Sequence, residues 1–261
     1  MRLLARERQD KIYSMICMNG AVSTSDLVRL FGVSIETIRR DLLEMENKGL
    51  LARVHGGAVK VGEMPPFYDL AKRHRDRSAE KSALARIAIS AVSEGDFIAV
   101  DSGSTAIHFA EALRDHFSNL TVVTYSLDVL EILRGHKSIQ TILCGGHYLH
   151  QENSFYGMLA LDMLDRLHVD KAFVCPSAVS LEHGIYDYQP DFAMIQKKMM
   201  EISNHVYILA DSGKYERRAL IKLDNMKSEF TYITDSGLSD ELKRLCLENG
   251  INVINEAKLK G

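Results

Sequence analysis

Apolar residues in the first sixty positions recur at the three- and four-residue spacing of amphipathic helices. The first series predicts a helix over residues 6–19. The second predicts a short helix that begins at Ser23 and ends before Gly32, and the third predicts a helix that begins at Ser34. The side chains predicted to face inward are Ile12, Met15, Ile16, Leu27, Leu30, Phe31, Ile35, Ile38, Leu42 and Met45.

Capping residues at these helix ends predict how the second and third helices are joined. Ser23 and Asp26 have the spacing of a capping box, in which a hydroxyl and a carboxylate each accept from an amide at the helix start. Gly32 can adopt the left-handed conformation that ends a helix. Two short helices joined by a tight turn are typical of a helix-turn-helix, whose second helix enters the major groove of DNA. Capped helix pairs also occur in proteins that do not bind DNA.

A two-stranded wing is predicted after Gly49, because residues 50–54 alternate loosely in polarity and Gly56 and Gly57 supply a turn. In this hypothesis Arg53 and His55 lie at the wing tip. On the third helix, Ile35, Glu36, Thr37 and Arg40 would read base edges. Arg39, Arg53 and His55 would hold phosphate or the minor groove. An arginine pair on a helix is also often only solvated. The predicted DNA-binding residues are Ser23, Ser34, Ile35, Glu36, Thr37, Arg39, Arg40, Arg53 and His55.

Short apolar runs alternate with amphipathic segments in the rest of the chain. Strands are predicted at residues 97–100, 120–124, 139–144, 171–175, 205–210, 230–234 and 251–254. Helices are predicted at residues 79–92, 105–116, 126–134, 156–167, 192–203 and 239–249. This alternation predicts an α/β domain with a mostly parallel sheet, in which ligands bind at the carboxyl ends of the strands.

The two predicted domains are separated by V-G-E-M-P-P-F-Y, where paired prolines favour an extended connection. We therefore expect a DNA-binding domain at residues 1–60, a linker at 61–78 and an α/β domain at 79–261. The charged segment 72–81 either contacts DNA phosphates or forms the solvated start of a helix.

Charge and cysteine content constrain the class of protein. Residues 1–60 carry ten Lys and Arg against seven Asp and Glu. An excess of three is small for a lone DNA-binding module, so we expect a homodimer or homotetramer on double-stranded operator DNA. The four cysteines form no C-x-x-C pair, the N-terminal residues are too charged for a signal peptide, and no apolar run is long enough to cross a membrane. A cytoplasmic protein without membrane contact is expected.

An anion site is predicted at D-S-G-S-T, residues 101–105, where a strand passes through a glycine turn into a helix. Backbone amides and the helix N-terminus can bind phosphate there, and the hydroxyls can donate to its oxygens. The alternative is an ordinary strand-to-helix turn in which Ser104 is the N-cap. Other strand ends carry residues that suit the same pocket, namely Thr124, Tyr125, Ser126, Gly145, Gly146, Asp211 and Lys214.

Several further residues leave alternatives open. Asp187 and Asp191 either contact a bound ligand or are exposed loop carboxylates. Cys144, His147 and His150 have the spacing of zinc ligands but lack an evident fourth ligand, so no metal or cofactor is expected. Proton transfer by Asp101, Asp187 or Asp211 would instead make the chain an enzyme with a DNA-binding appendage.

Both halves of the chain resemble the DeoR family of bacterial transcriptional regulators. V-S-x-x-T-I-R-R-D-L followed by G-L-x-x-R-x-H-G-G-A resembles the DNA-binding domain of that family, and D-S-G-S-T, T-x-S, G-G, G-I-Y-D and D-S-G-K resemble its effector domain. The resemblance implies a winged helix-turn-helix repressor of a carbohydrate operon, without catalytic residues, and an effector domain similar in fold to ribose-5-phosphate isomerase.

The same resemblance implies a phosphorylated sugar or sugar derivative as effector, whose hydroxyls Asp187 and Asp191 would contact. The competing enzyme would then be a sugar-phosphate isomerase or deaminase with a DNA-binding appendage. The resemblance assigns phosphate binding to Ser102, Gly103, Ser104 and Thr105, the pocket lining to Thr124 and Ser126, and the rest of the pocket to Asp101, Asp211 and Lys214. Two positions depart from the family pattern: Tyr125 stands where asparagine is common, and Cys175-Pro176-Ser177 where glycine-containing stretches are usual.

Overall fold

The protein is described by a computed structural model over residues 4–19, 21–54, 57–60 and 70–256. Within those residues the helices are α1 (Ala5–Asn19), α2 (Thr24–Phe31), α3 (Ile35–Asn47), α4 (Leu70–Arg75), α5 (Ser78–Ala88), α6 (Ser104–His116), α7 (Leu127–Leu133), α8 (Met158–Leu164), α9 (Pro190–Glu201) and α10 (Asp240–Glu248). The first strands are β1 (Ala21–Ser23), β2 (Leu51–Val54), β3 (Gly57–Lys60), β4 (Phe97–Val100), β5 (Leu120–Thr124), β6 (Ile139–Leu143), β7 (His147–Leu149) and β8 (Ser154–Tyr156). The later strands are β9 (Val169–Val174), β10 (Ala178–Ser180), β11 (Gly184–Asp187), β12 (Ser203–Leu209), β13 (Ile221–Asp224), β14 (Thr231–Ile233) and β15 (Asn252–Ile254).

The N-terminal unit packs α1, α2 and α3 around one small core. The Ser23 and Ser34 hydroxyls accept from amides at the starts of α2 and α3, as predicted, and Gly32 ends α2 with φ of 60°. Half of the predicted capping box forms, because the Asp26 carboxylate accepts from Arg29 at 2.6 Å. The buried core residues of this unit are Ile12, Ile16, Val22, Leu27, Ile38, Leu42, Met45, Leu51 and Ala58.

Two predictions about the helix faces are wrong. Leu30 is 60% exposed and Ile35 is 40% exposed, although both were expected to face inward. Both residues flank the turn at Gly32, at the edge of the contact between α2 and α3, where the core no longer covers them. The wing also differs from the prediction, because β1 pairs antiparallel with β3 and makes a three-stranded sheet of order β1-β3-β2.

The second unit is built on a seven-stranded sheet of order β15-β14-β12-β9-β4-β5-β6, in which every neighbouring pair is parallel. All seven predicted strands lie in this sheet, and their bounds differ from the prediction by at most two residues. In β4, Ile98 and Val100 face one apolar layer and Ala99 faces the other. Such double-sided burial is typical of parallel sheets covered by helices on both faces.

Three kinds of element were not predicted. Strands β7 and β8 form a hairpin, and β10, β11 and β13 form a small antiparallel sheet. Most of these strands are only three or four residues long, too short for a clear polarity pattern. Helix α4 lies inside the segment predicted as a linker at 61–78, of which residues 61–69 lie outside the described part. No helix in the described ranges is both long and apolar enough to cross a membrane.

Candidate effector site and DNA-binding surface

The predicted anion seat at residues 101–105 lies at the N-terminus of α6. Its N-cap is Gly103, with φ of 88°, and no side chain caps the first turn. Ser104 is the first helical residue, so the alternative in which Ser104 is the N-cap is wrong. Thr105 is 1% exposed and its Oγ1 has no hydrogen-bond partner in the described structure. Buried hydroxyls rarely lack partners, and this one lies in the first turn of a helix whose start no side chain caps.

Basic side chains from the charged segment 72–81 approach this seat. Arg73 Nη1 lies 3.7 Å from the position that a Cβ would occupy at Gly103. Arg77 Nε is 2.9 Å from Asp211 Oδ1, and its Nη2 donates to Ser212 Oγ at 2.7 Å. Arg73 and Arg77 therefore turn toward the carboxyl ends of the strands, whereas Arg75, Asp76 and Ala79 of the same segment are exposed, as expected for the solvated start of a helix.

Lys81 adds a buried positive charge to the same region. It is 4% exposed, and its Nζ donates to the backbone carbonyls of Arg73 and Asp76. Burial, reinforced by the nearby charge of Lys214, lowers the pKa of Lys81 to about 8. Lys214 Nζ donates to the Pro176 carbonyl at 2.7 Å. Arg73, Arg77 and Lys81 recur every four positions in the sequence, but they do not share one helix, because α4 ends at Arg75 and Arg77 has φ of 53° just before α5.

Each of the two arginines is paired with an internal carboxylate. Glu152 is 3% exposed, and both of its carboxylate oxygens accept from Arg73 Nη2 at 2.5 Å. Burial raises the pKa of Glu152 to about 7, while the charge of Arg73 acts in the opposite direction. Asp211 accepts from Arg77 and from the Gly213 amide. Glu152 was not singled out from the sequence, because its polar surroundings, H-Q-E-N, carry no distinguishing pattern.

Asp101 is fully buried below the seat and does not present a free oxygen. Its Oδ1 accepts from the Ser102 amide at 2.8 Å and from the Tyr125 hydroxyl, and its Oδ2 accepts from the Cys175 amide at 2.7 Å and from Gln196 Nε2 at 2.9 Å. Burial raises the pKa of Asp101, and the hydrogen bonds oppose that rise. The Ser102 hydroxyl in turn donates to Tyr125. Asp101 and Tyr125 therefore hold the strand end that carries the seat.

Gln196 links Asp101 to Asp187, since its Nε2 also lies 3.1 Å from Asp187 Oδ2. Asp187 accepts in addition from the amides of Tyr188 and Gln189. The structure buries Asp187, which contradicts its interpretation as an exposed loop carboxylate; Asp191 is half-buried in the first turn of α9. Gln196 was missed, although it is a polar residue on the buried face of an amphipathic helix.

The remaining strand-end residues serve mainly the local structure. Thr124 Oγ1 accepts from the Ser126 amide, and Ser126 Oγ caps α7. A Cβ at Gly146 would lie 2.4 Å from the Tyr156 carbonyl, so this glycine permits a close approach of two backbones, whereas a Cβ at Gly145 would meet open space. Burial raises the pKa of Cys144 to about 11, which disfavours the thiolate that zinc requires.

The outer face of α3 is the candidate DNA-binding surface. Glu36, Arg39 and Arg40 are exposed there, and neither arginine is paired with a carboxylate in the described part of the chain. Ile35 belongs to this exposed face rather than to the core. The predicted DNA-contacting hydroxyls of Ser34 and Thr37 lie 2.9 Å apart and bond to each other.

Three other predicted DNA-binding positions do not belong to α3. Ser23 is buried as the cap of α2. The Arg53 amide donates to Glu46 at 2.8 Å, and its guanidinium lies 3.9 Å from the same carboxylate. His55 lies outside the described residues.

Comparison with known proteins matches both units to one family. Residues 8–63 match the DeoR-like helix-turn-helix domain, and residues 76–236 match the DeoR C terminal sensor domain. An L-fucose operon activator of Haemophilus influenzae is 32% identical, over 95% of this chain and 98% of that protein. A putative aga operon transcriptional repressor of Escherichia coli O157:H7 is 30% identical, over 95% of this chain and 93% of that protein.

Similarity is lower to one further regulator and to one solved structure. The glycerol-3-phosphate regulon repressor of Escherichia coli K12 is 28% identical, over 88% of this chain and 90% of that protein. Ribose 5 phosphate isomerase A of Neisseria gonorrhoeae superimposes with a TM-score of 0.41 at 19% identity, over 53% of each chain. From the two family matches and the near full-length similarity to named regulators, the chain belongs to the DeoR family of transcriptional regulators.

Proposed function

We propose that this regulator represses a carbohydrate-utilisation operon and that a phosphorylated sugar or sugar derivative, bound at the α6 seat, sets its affinity for operator DNA. The uncapped N-terminus of α6 beside the free Thr105 hydroxyl carries the proposal. Arg73 and Lys81 add the positive charge that a phosphoester needs. The sugar phosphate is a reversible ligand in this scheme, and no cofactor is required. The names of the fucose and glycerol-3-phosphate relatives support a sugar-derived effector.

Two or more copies are proposed to act together on the operator. The small positive excess of the first sixty residues favours a homodimer or homotetramer, which places two recognition helices on one DNA molecule. An effector that binds better to one arrangement of these helices than to another would shift the population toward that arrangement.

Turnover of the sugar phosphate is the competing function. A catalytic base needs an oxygen within reach of the substrate. Asp101 uses both oxygens for protein donors, and Asp211 is held by Arg77. These contacts favour binding over catalysis. Protein-dependent conversion of ribose 5-phosphate or glucosamine 6-phosphate that disappears in Asp101→Asn would overturn this choice.

Arg40→Ala is expected to remove most of the selectivity for operator DNA. A well-placed arginine contributes about 1–3 kcal/mol to discrimination between bases, and because this side chain is exposed the unfolding free energy should change by less than about 0.5 kcal/mol. Fluorescence anisotropy with promoter and random duplexes measures the ratio of affinities. Arg244→Ala on α10 removes the same charge from an exposed site in the other domain and should leave that ratio unchanged. Equal ratios for both variants would show that Arg40 does not read the operator.

Thr105→Val is expected to weaken effector binding without destabilising the protein. The substitution keeps the side-chain shape and removes a hydroxyl that bonds to no described group. The expected loss is therefore in the free energy of phosphate binding, by about 1.5–3 kcal/mol for a hydrogen bond to a charged group. Thermal melting with ribose 5-phosphate, glucosamine 6-phosphate and inorganic phosphate measures the effect, because a ligand of the folded state raises the melting temperature. Thr141→Val, which removes another unpartnered hydroxyl from β6, is the matched control. Identical ligand shifts in the two variants would place the phosphate elsewhere.

A further inference from the structure

Two buried donors without partners flank the same glycine at the start of α6. One is Thr105 Oγ1, and the other is Arg73 Nε. The Arg73 guanidinium lies beside Gly103, where the missing side chain leaves it next to the helix N-terminus. Buried N–H and O–H groups without partners are rare. The occurrence of one of each near Gly103 indicates an acceptor that the protein itself does not supply.

The charged end of Arg73 is meanwhile occupied by Glu152. The pair is buried, with both carboxylate oxygens 2.5 Å from Nη2. A buried ion pair recovers its desolvation cost only while both partners are present. A phosphoester in the seat would offer Arg73 a second anionic partner, and guanidinium groups bind phosphate through two parallel hydrogen bonds. The carboxylate and the phosphate would therefore repel each other and compete for one guanidinium.

Arg73 also belongs to the element through which the two domains are connected along the chain. Helix α4 is the first described element after β3 of the DNA-binding domain. Arg73 ties α4 to Glu152, Lys81 donates to the backbone at its end, and His74 stacks on His108 of α6 at 4.6 Å. A cavity of about 820 Å³, lined by α4, α6, α7, His150, Gln151 and Asn153, lies alongside α4. A shift of α4 is therefore not blocked by close packing on that side.

We propose that Glu152 is an internal stand-in for the effector phosphate: it holds Arg73 in the unliganded protein, and the phosphoester displaces it, so that α4 shifts and alters the DNA-binding domain. This inference rests on the function proposed above and adds its regulation. In this mechanism Arg73 binds Glu152 in one state and the phosphoester in the other. The effector therefore has different affinities for the two states, as coupling between distant sites requires.

Glu152→Gln tests the exchange because it keeps the shape of the side chain and an oxygen for Arg73 but removes the competing charge. We expect affinity for ribose 5-phosphate and inorganic phosphate to rise by about tenfold, the effect of one nearby charge. We also expect the DNA affinity of the unliganded variant to move toward that of the liganded wild type. Isothermal calorimetry and anisotropy with an operator duplex measure the two quantities on the full-length chain. Glu111→Gln, in the same cavity wall, is the control for loss of charge and should behave as wild type.

The outcomes separate this inference from the proposed function. A wild type whose DNA affinity responds to sugar phosphate, beside a Glu152→Gln variant that matches it in both measurements, overturns the exchange and leaves the proposed function standing. A wild type that responds to no phosphorylated compound overturns both. Should Glu152→Gln fold poorly, Arg73→Lys gives the second test: the charge remains without the planar fork, and phosphate affinity is expected to fall by about tenfold. Unchanged affinity in Arg73→Lys would also reject the exchange.

Discussion

Asp41→Ala is expected to unfold the DNA-binding domain while the sheet domain stays folded. Asp41, on the inner side of α3, accepts from Arg8 Nε at 2.5 Å and from Arg8 Nη2 at 3.0 Å, and both side chains are buried. Removing one partner of such a pair leaves an uncompensated buried charge, which costs about 3–5 kcal/mol. A domain of some sixty residues has little stability to spare, so this loss is comparable with its whole free energy of unfolding.

Urea denaturation followed by circular dichroism measures this change, with operator binding as a second measurement. The expected result is a separate transition at low urea and loss of DNA binding. Asp10→Ala removes an exposed carboxylate from α1 and should shift neither measurement. A variant of Asp41 with wild-type operator affinity and a single unchanged transition would show that the pair does not hold the domain together.

Asp101→Ala is expected to destabilise the sheet domain by about 4 kcal/mol. The substitution deprives four donors of their acceptor: the Ser102 amide, the Tyr125 hydroxyl, the Cys175 amide and Gln196 Nε2. Each buried donor left unsatisfied costs about 1–3 kcal/mol, partly relieved where the donors find one another or a water molecule. Burial raises the pKa of Asp101, because the ionised carboxylate is unfavourable in the protein interior. Removing the carboxylate therefore offsets part of the loss in unfolding free energy.

Asp101→Asn should be less harmful, because the amide keeps one acceptor oxygen and replaces only the other. The unfolding free energy measured with urea is thus expected to decrease from wild type to Asp101→Asn, and to decrease further in Asp101→Ala. Asp162→Ala, outside the cluster, serves as the control. Equal stability of wild type and Asp101→Ala, combined with loss of the thermal shift by sugar phosphate, would instead place Asp101 in direct contact with the ligand.

Residues that act through their immediate neighbours were predicted most accurately. Ser34, Gly32 and the seven parallel strands follow from patterns within a few positions, and the structure places them as expected. Predictions of side-chain burial were less accurate, because burial depends on which other element packs against the residue. Leu30 and Ile35 have the spacing of core residues but project past the helix that would have covered them. The charged segment 72–81 has a solvated composition, yet its Lys81 is buried at the carboxyl ends of the strands.

The sequence alone determined the helix-turn-helix and the parallel sheet, and it predicts an anion seat at residues 101–105, because capping, turn formation and periodic burial depend on residues close together in the chain. Only the tertiary structure decided which charged and polar side chains contact each other. Arg8 finds Asp41 across 33 positions, Arg73 finds Glu152 across 79, and Asp101 finds Gln196 across 95. No local pattern encodes such partners, since they are chosen by the order of the strands and by the paths of the loops between them.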